Sequence, residues 1–379
     1  MINVFQPNLG EEELNAIKDV FNSNWIGKGN KVDEFETSFS NMLRESRSSF
    51  FSTTCCTEGL FLFPELFKFK PDDEIIVPNI SFVAVASSII KSGAKLILCD
   101  VDKNSLNTTA DLVEKKITKN TRALILNHYG GVPCDMDPIK ELCKIHNIIL
   151  IEDSACAVKS FYKGKATGTF GDMGIWSFDS MKTISTGDGG MIYLKDSHLT
   201  DKAKELLYLG VPSRQKSGLD NSSLGNKNWW EIEVNALGRR SMMNNISAAI
   251  GLAQIAKLNG FLNRRREIYE IYINQLSKIS WLKLPPKLED YIESSYYFFW
   301  IQLEKRNELA RYLLKNDVYT TFRYWPLNKI KYFNKYHEKF KNSEFASSST
   351  LNLPIHQSLT NENISKIIDL LKSFGKKYY

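Results

Sequence analysis

The sequence predicts an α/β protein: a large domain on a mostly parallel sheet covered by helices, followed by a smaller C-terminal α+β domain. Three observations predict it. Short apolar runs alternate with amphipathic stretches from about residue 74 to residue 151, the rhythm of βαβ units. After about residue 250 that rhythm yields to long helical patterns and an aromatic run. The 379 residues also exceed the roughly 250–300 that one core organises. The boundary falls between domains 1–255 and 256–379.

Taken in order, Glu11 to Asn22 is a helix with Leu14, Ile17, Val20 and Phe21 along one face. Asn24 to Gly29 breaks the pattern, and Val32 to Leu43 resumes it. Strands follow at Glu74–Val77, Lys95–Cys99, Arg122–Leu126 and Ile148–Ile151. Helices lie between them at Phe82–Ser92 and Ala110–Ile117, and a third carries Pro138 in its first turn behind Asp135 or Asp137 as cap. Ligands bind beyond the carboxyl ends of such strands. That singles out His128-Tyr129-Gly130-Gly131, Glu152-Asp153, and the cluster from Gly174 through Lys182 to Thr186–Met191. Helices are expected at Asn245–Leu258 and Phe261–Gln275, then a break at Pro285-Pro286. A long aromatic strand, Tyr296–Leu303, precedes a helix near Asn307–Lys315, a strand Val318–Tyr324 and a terminal helix Glu362–Phe374.

Composition narrows the function. With 43% hydrophobic and 24% charged residues, the chain is neither disordered nor fibrous. Its net charge of +6 is interspersed, which predicts no nucleic-acid partner and suits anionic small substrates. The start lacks the pattern of a signal peptide, and the longest mostly apolar run, Ile80 to Ile90, is far short of the roughly 20 residues of a membrane span. Six cysteines without CxxC or metal-ligand spacing read as free thiols in a reducing cytoplasm, with no metal site.

Asp153 at a strand end, Lys182 on a later turn and a Thr-containing turn before a helix form a coherent set. Alone, each is commonplace: a strand-end Asp caps helices, and a lone Lys is usually solvated. Together they match the needs of a pyridoxal phosphate enzyme: a lysine for a Schiff base, a carboxylate to keep the pyridine nitrogen protonated, and helix-start N–H groups for the phosphate. Around them run Trp25-Ile26-Gly27-Lys28-Gly29, Pro71-Asp72-Asp73-Glu74, Val77-Pro78-Asn79-Ile80-Ser81-Phe82-Val83-Ala84, Cys99-Asp100-Val101-Asp102 and His128-Tyr129-Gly130. Asp135-Met136-Asp137-Pro138, Ile151-Glu152-Asp153-Ser154-Ala155, Gly168-Thr169-Phe170-Gly171-Asp172, Ser177-Phe178 with Lys182, and Gly187-Asp188-Gly189-Gly190 complete the series. In this order and spacing the chain resembles the DegT/StrS-type sugar aminotransferases, of the fold type I pyridoxal phosphate enzymes.

The resemblance implies a homodimeric aminotransferase with shared active sites, acting on a nucleotide-linked ketosugar with L-glutamate as amino donor. It implies that Lys182 forms the internal aldimine and moves the proton, that Asp153 pairs with the pyridine nitrogen, and that Phe82 stacks on the ring. It further implies that Thr57, the backbone N–H of Glu58 opening a helix to Phe67, and Ser177 hold the phosphate. Three departures stand out. Cys156 occupies a position that is usually Gln, His or Glu beside the cofactor's 3-oxygen, and a thiol donates poorly. The phosphate turn reads Thr54-Cys55-Cys56-Thr57-Glu58, with a carboxylate that repels phosphate. Gly238-Arg239-Arg240-Ser241-Met242 replaces the stretch that reaches the neighbouring subunit, and puts Arg240 where relatives carry the Asn that crosses to the partner's phosphate. The alternatives are amination of a cyclitol ketone, a deoxysugar dehydratase (whose relatives carry His at the Lys182 position) and a non-catalytic regulatory relative.

Overall fold

The computed structural model describes residues 1–212, 228–333 and 338–379. Its main sheet is built from β1 (Phe50–Thr53), β2 (Glu74–Pro78), β3 (Lys95–Cys99), β4 (Thr121–Asn127) and β5 (Ile149–Asp153). After a hairpin of β6 (Phe161–Tyr162) and β7 (Lys165–Ala166), β8 (Met173–Ser177) and β9 (Gly190–Leu194) join it. The order across it is β1-β9-β8-β5-β4-β2-β3. From β8 to β3 neighbours run parallel, while β9 is antiparallel to both β8 and β1. Ile75, Ile76 and Val77 are all fully buried, which explains why β2 reads as a continuous apolar run: helices cover both faces. Each such side chain contributes about 1.5–3 kcal/mol on burial.

The covering helices are α1 (Glu11–Asn22), α2 (Asn30–Leu43), α3 (Cys56–Leu66), α4 (Val83–Ser92), α5 (Ala110–Glu114), α6 (Met136–Ile145, with Asp135 at its N-cap) and α7 (His198–Leu206). β1, β8, β9 and α7 are short elements that the sequence reading did not resolve. The face of α1 differs from expectation. Glu13 and Val20 are buried, whereas Leu14 and Phe21 are each 59% exposed. Gln254 and Lys257 draw Glu13 inward, donating to its Oε1 at 2.7 and 2.6 Å.

The expected pair of helices after residue 245 is one helix, α8 (Asn245–Leu276), of 32 residues. Asn244 caps it by accepting the Ser247 N–H at 2.9 Å. Gly260 does not end it, because a glycine in a helix interior costs only about 1 kcal/mol. Ala248, Leu258 and Phe261 of α8 pack with Val32, Phe35 and Phe39 of α2. Further along, Ile268, Tyr269, Tyr272 and Leu276 enter a second core with β11 (Phe299–Gln302), α9 (Arg306–Lys315), β12 (Thr350–Leu353) and α11 (Asn361–Tyr378). The remaining elements are β10 (Ile292–Glu293), beside the hairpin, and α10 (Lys341–Ser349).

Two expected strands are shorter or absent. Only Phe299–Gln302 of the aromatic run is a strand, since Tyr297 and Phe298 donate their N–H groups to Gly130 O at 2.8 and 3.1 Å. Val318–Tyr324 is no strand: Val318 and Thr321 make single bridges to Ile2 and Asn352. All six cysteines are free, and among the described residues no His/Cys/Asp/Glu cluster fits a metal and no helix is long and apolar enough to cross a membrane.

Candidate active site

The carboxyl ends of β4, β5 and β8, together with the start of α3, surround a cavity of about 200 Å³. Thr57, Phe82, Asp153, Cys156, Ser177 and Lys182 all line it, although 125 residues of chain position separate the first from the last. Glu58 and Arg240 do not. Asp153 closes β5, paired in register with Asn127 of β4 and Ile175 of β8. Its Oδ1 accepts the Ala155 N–H at 3.0 Å. Burial pushes its pKa up, opposed by that hydrogen bond and by the nearby Lys182 and His128.

Lys182 follows β8 on a turn in which its N–H donates to Asp179 O at 2.9 Å. Its Nζ lies 3.7 Å from Cys156 Sγ and 5.0 Å from the centre of the Tyr297 ring. Cys156 Sγ is also 3.5 Å from the Tyr324 hydroxyl. Burial pushes the Cys56 and Cys156 thiols and the Tyr324 phenol up, and Tyr297 up to about 12, so these neighbours of the lysine are neutral. Cys156 is therefore a thiol and not a nucleophilic thiolate.

The start of α3 bears on the opposite wall. No side chain caps it. The Glu58 N–H turns to Cys55 O at 3.2 Å, which leaves Cys56 and Thr57 as the first-turn residues beside the cavity. Arg239 Nε holds the Glu58 carboxylate at 2.5 Å, so the charge that would repel an anion is neutralised. Ser177 lines the same cavity, and among the described residues its Oγ accepts only the Asp179 N–H, at 3.4 Å. Phe82, at the N-cap of α4, leaves its ring 42% exposed and tilted 57° to Tyr324. A buried carboxylate, an amine, an open aromatic face and an uncapped helix start around one cavity fit pyridoxal phosphate. Arg240 is exposed and is bridged through its backbone to Tyr208.

Sequence reasoning assigned no role to several lining residues, His128, Tyr297, Arg323 and Tyr324 among them. His128 Nδ1 accepts the Cys134 N–H at 3.1 Å, so Nε2 carries the proton and donates to Glu152 at 3.1 Å. Glu152 in turn takes the N–H groups of Gly168, Phe170 and Gly171, each at 2.7 Å, and so anchors the strand end that presents Asp153. Tyr297, Arg323 and Tyr324 reach the cavity from the C-terminal segment. Tyr297 was present only within an aromatic run, which reads equally as core, and Arg323 and Tyr324 only within an expected strand.

The model of the DegT/DnrJ/EryC1/StrS aminotransferase family matches residues 7–372. The dTDP-4-dehydro-2,3,6-trideoxy-D-glucose 4-aminotransferase of Saccharopolyspora spinosa is 43% identical over 371 residues, 97% of this chain and 95% of its own length. GDP-perosamine synthase of Escherichia coli O157:H7 is 31% identical, with 98% of each chain covered. Among solved structures, the aminotransferase TlmJ from Streptoalloteichus hindustanus superposes with a TM-score of 0.93 at 43% identity, covering 100% of this chain and 99% of its own. The chain belongs to the DegT/DnrJ/EryC1/StrS aminotransferase family.

Proposed function

We propose that this pyridoxal phosphate-dependent aminotransferase converts a nucleotide-linked ketosugar to an aminosugar, with L-glutamate as amino donor. The observation that carries the reading is the meeting of Lys182 and Asp153 in one cavity with an uncapped helix start. The names of the relatives, one acting on a dTDP-linked sugar and one making GDP-perosamine, support the nucleotide link. The free cysteines suit a cytoplasmic enzyme.

Pyridoxal phosphate supplies an aldehyde that takes amines and a ring that draws off electrons. Asp153, as carboxylate, keeps a proton on the ring nitrogen. Thr57, Ser177 and the first N–H groups of α3 bind the phosphate, and Phe82 presses on the ring. Lys182 Nζ would hold the cofactor between turnovers and is placed to carry the proton that the reaction moves.

Borohydride reduction should fix the cofactor to the peptide containing Lys182, and Lys182→Ala should abolish turnover. Asp153→Asn should cost orders of magnitude in rate with milder loss of cofactor. Labelling at another lysine, or a near-normal Asp153→Asn rate, overturns these roles. Amination of a panel of ketosugar nucleotides, read by mass spectrometry, identifies the acceptor; no amination of any sugar would count against the whole reading.

We infer further that two chains pair and that Arg240 serves the partner's phosphate. Leu14, Phe21, Trp25 and Ile26 are more than half exposed, an apolar surface suited to a second copy, and Arg240 does not line its own chain's cavity. Mixing Arg240→Ala with Lys182→Ala chains should then restore activity, since a hybrid dimer puts both lesions in one site. No recovery despite confirmed subunit exchange rejects the crossing.

A further inference from the structure

Arg323 lines the cavity, yet among the described residues it makes no ion pair. Its Nη2 meets the Met181 thioether at 3.6 Å, and a thioether is a weak acceptor that offsets no charge. The cavity's acids are engaged elsewhere. Asp153 accepts from Ala155, Asp179 from the Met181 N–H at 2.9 Å, and Asp188 from the Gly189 N–H at 2.9 Å.

The residue is nevertheless held firmly. Its N–H donates to Asn352 Oδ1 at 2.8 Å, and its carbonyl accepts the Tyr129 hydroxyl. The guanidinium lies 5.2 Å from the centre of the Phe5 ring. Phe5 stacks on Tyr297 with centroids 5.7 Å apart and planes 19° from parallel, and Lys182 Nζ sits 5.0 Å from the Tyr297 centroid. The amine and the guanidinium thus rest on one pair of stacked rings. A planar fork of donors with no counter-anion, fixed by its backbone and facing a cavity, is complementary to a carboxylate.

We propose that Arg323 receives the α-carboxylate of the amino donor; the assignment rests on the aminotransferase reading above. An amino acid bears its nitrogen and its carboxylate on the same carbon. The group that exchanges the nitrogen and the group that binds the carboxylate must therefore face the same space, as Lys182 and Arg323 do in lining one cavity. The phosphates of a sugar nucleotide lie across the sugar ring from a carbonyl at carbon 4, and call for a cation farther from the lysine.

The test separates the two half-reactions in the cofactor-loaded enzyme, followed by the cofactor's visible absorbance. In Arg323→Gln the apparent Kd for L-glutamate should rise about ten- to a hundredfold, the scale of a lost charge-assisted hydrogen bond. Arg323→Lys should recover part of it, since charge returns without the fork. The return half-reaction with a dTDP-linked 4-ketosugar should stay within about twofold. 4-Aminobutanoate, which lacks the α-carboxylate, should react poorly with wild type and lose nothing more in Arg323→Gln. An unchanged spectrum of the loaded variant shows that the site is intact. Equal losses for glutamate and 4-aminobutanoate, or a loss confined to the ketosugar step, overturn the assignment. A wild type that takes nitrogen from no amino acid overturns the underlying reading instead.

Discussion

His356 is 3% exposed with neither ring nitrogen in a hydrogen bond of ordinary geometry, and burial, seconded by the Arg265 charge and opposed by the Asn3 backbone, pushes its pKa down from 6.5 to about 4. Between those values the unfolded chain binds a proton that the folded chain refuses. Stability is therefore complete above pH 6.5 and falls as pH drops toward 4, by on the order of 3 kcal/mol for this one group. Denaturant midpoints at pH 7 and pH 4.5 measure it, and His356→Leu should lose less over that interval than wild type. Equal losses would assign the acid sensitivity to other groups. At this same scale the sequence was uneven. Lys182 and Asp153 were legible because each sits inside a motif whose spacing is local. Tyr297, Arg323 and Tyr324 were not, because what makes them site residues is the folding of distant segments onto Tyr129 and Gly130, which leaves no local spacing to read. The buried face of α1 was misread for a related reason: a carboxylate such as Glu13 is assigned to solvent unless its partner, here 241 residues downstream, is known.

Among the elements, the parallel strands β2 to β5 were legible because burial on both faces leaves an unmistakable apolar run. Helix ends were less so, and α8 shows why. Gly260 suggests a stop, but its Cβ would meet nothing within 4 Å, so the glycine faces open space and the helix continues. Gly260→Ala should raise stability by about 0.5–1 kcal/mol, through helix propensity and a less free unfolded chain. Gly251, on the same helix, is the opposite case. A Cβ there would come within 2.5 Å of the Phe35 ring, so Gly251→Ala should destabilise, as overpacking does by about 1–3 kcal/mol. Thermal melts of the two variants should move in opposite directions; a common direction would mean that propensity or packing alone decides both.

For the whole molecule, the run of strands from β2 to β5 and most of the covering helices followed from the sequence, while the way its two ends cooperate did not. α8 belongs to two hydrophobic clusters at once, through Leu258 and Phe261 in one and Tyr272 and Leu276 in the other. At 1.5 Å per residue its 32 residues make a rod about 48 Å long. Such a rod is a thermodynamic tether. Neither cluster can melt without stripping the packing from its half of the helix, and a half-helix bare of packing is only marginally stable in water. The two clusters should accordingly unfold as one cooperative unit. Leu276→Ala, a fully buried truncation worth about 2–5 kcal/mol, should speed amide hydrogen exchange in β1 and β9, which pack in the first cluster, as much as in β11 and β12. Faster exchange in β11 and β12 alone would mean that the tether slips. If it holds, weakening either cluster unfastens the other, and random substitutions far from Lys182 should report as losses of the entire protein instead of one half of it.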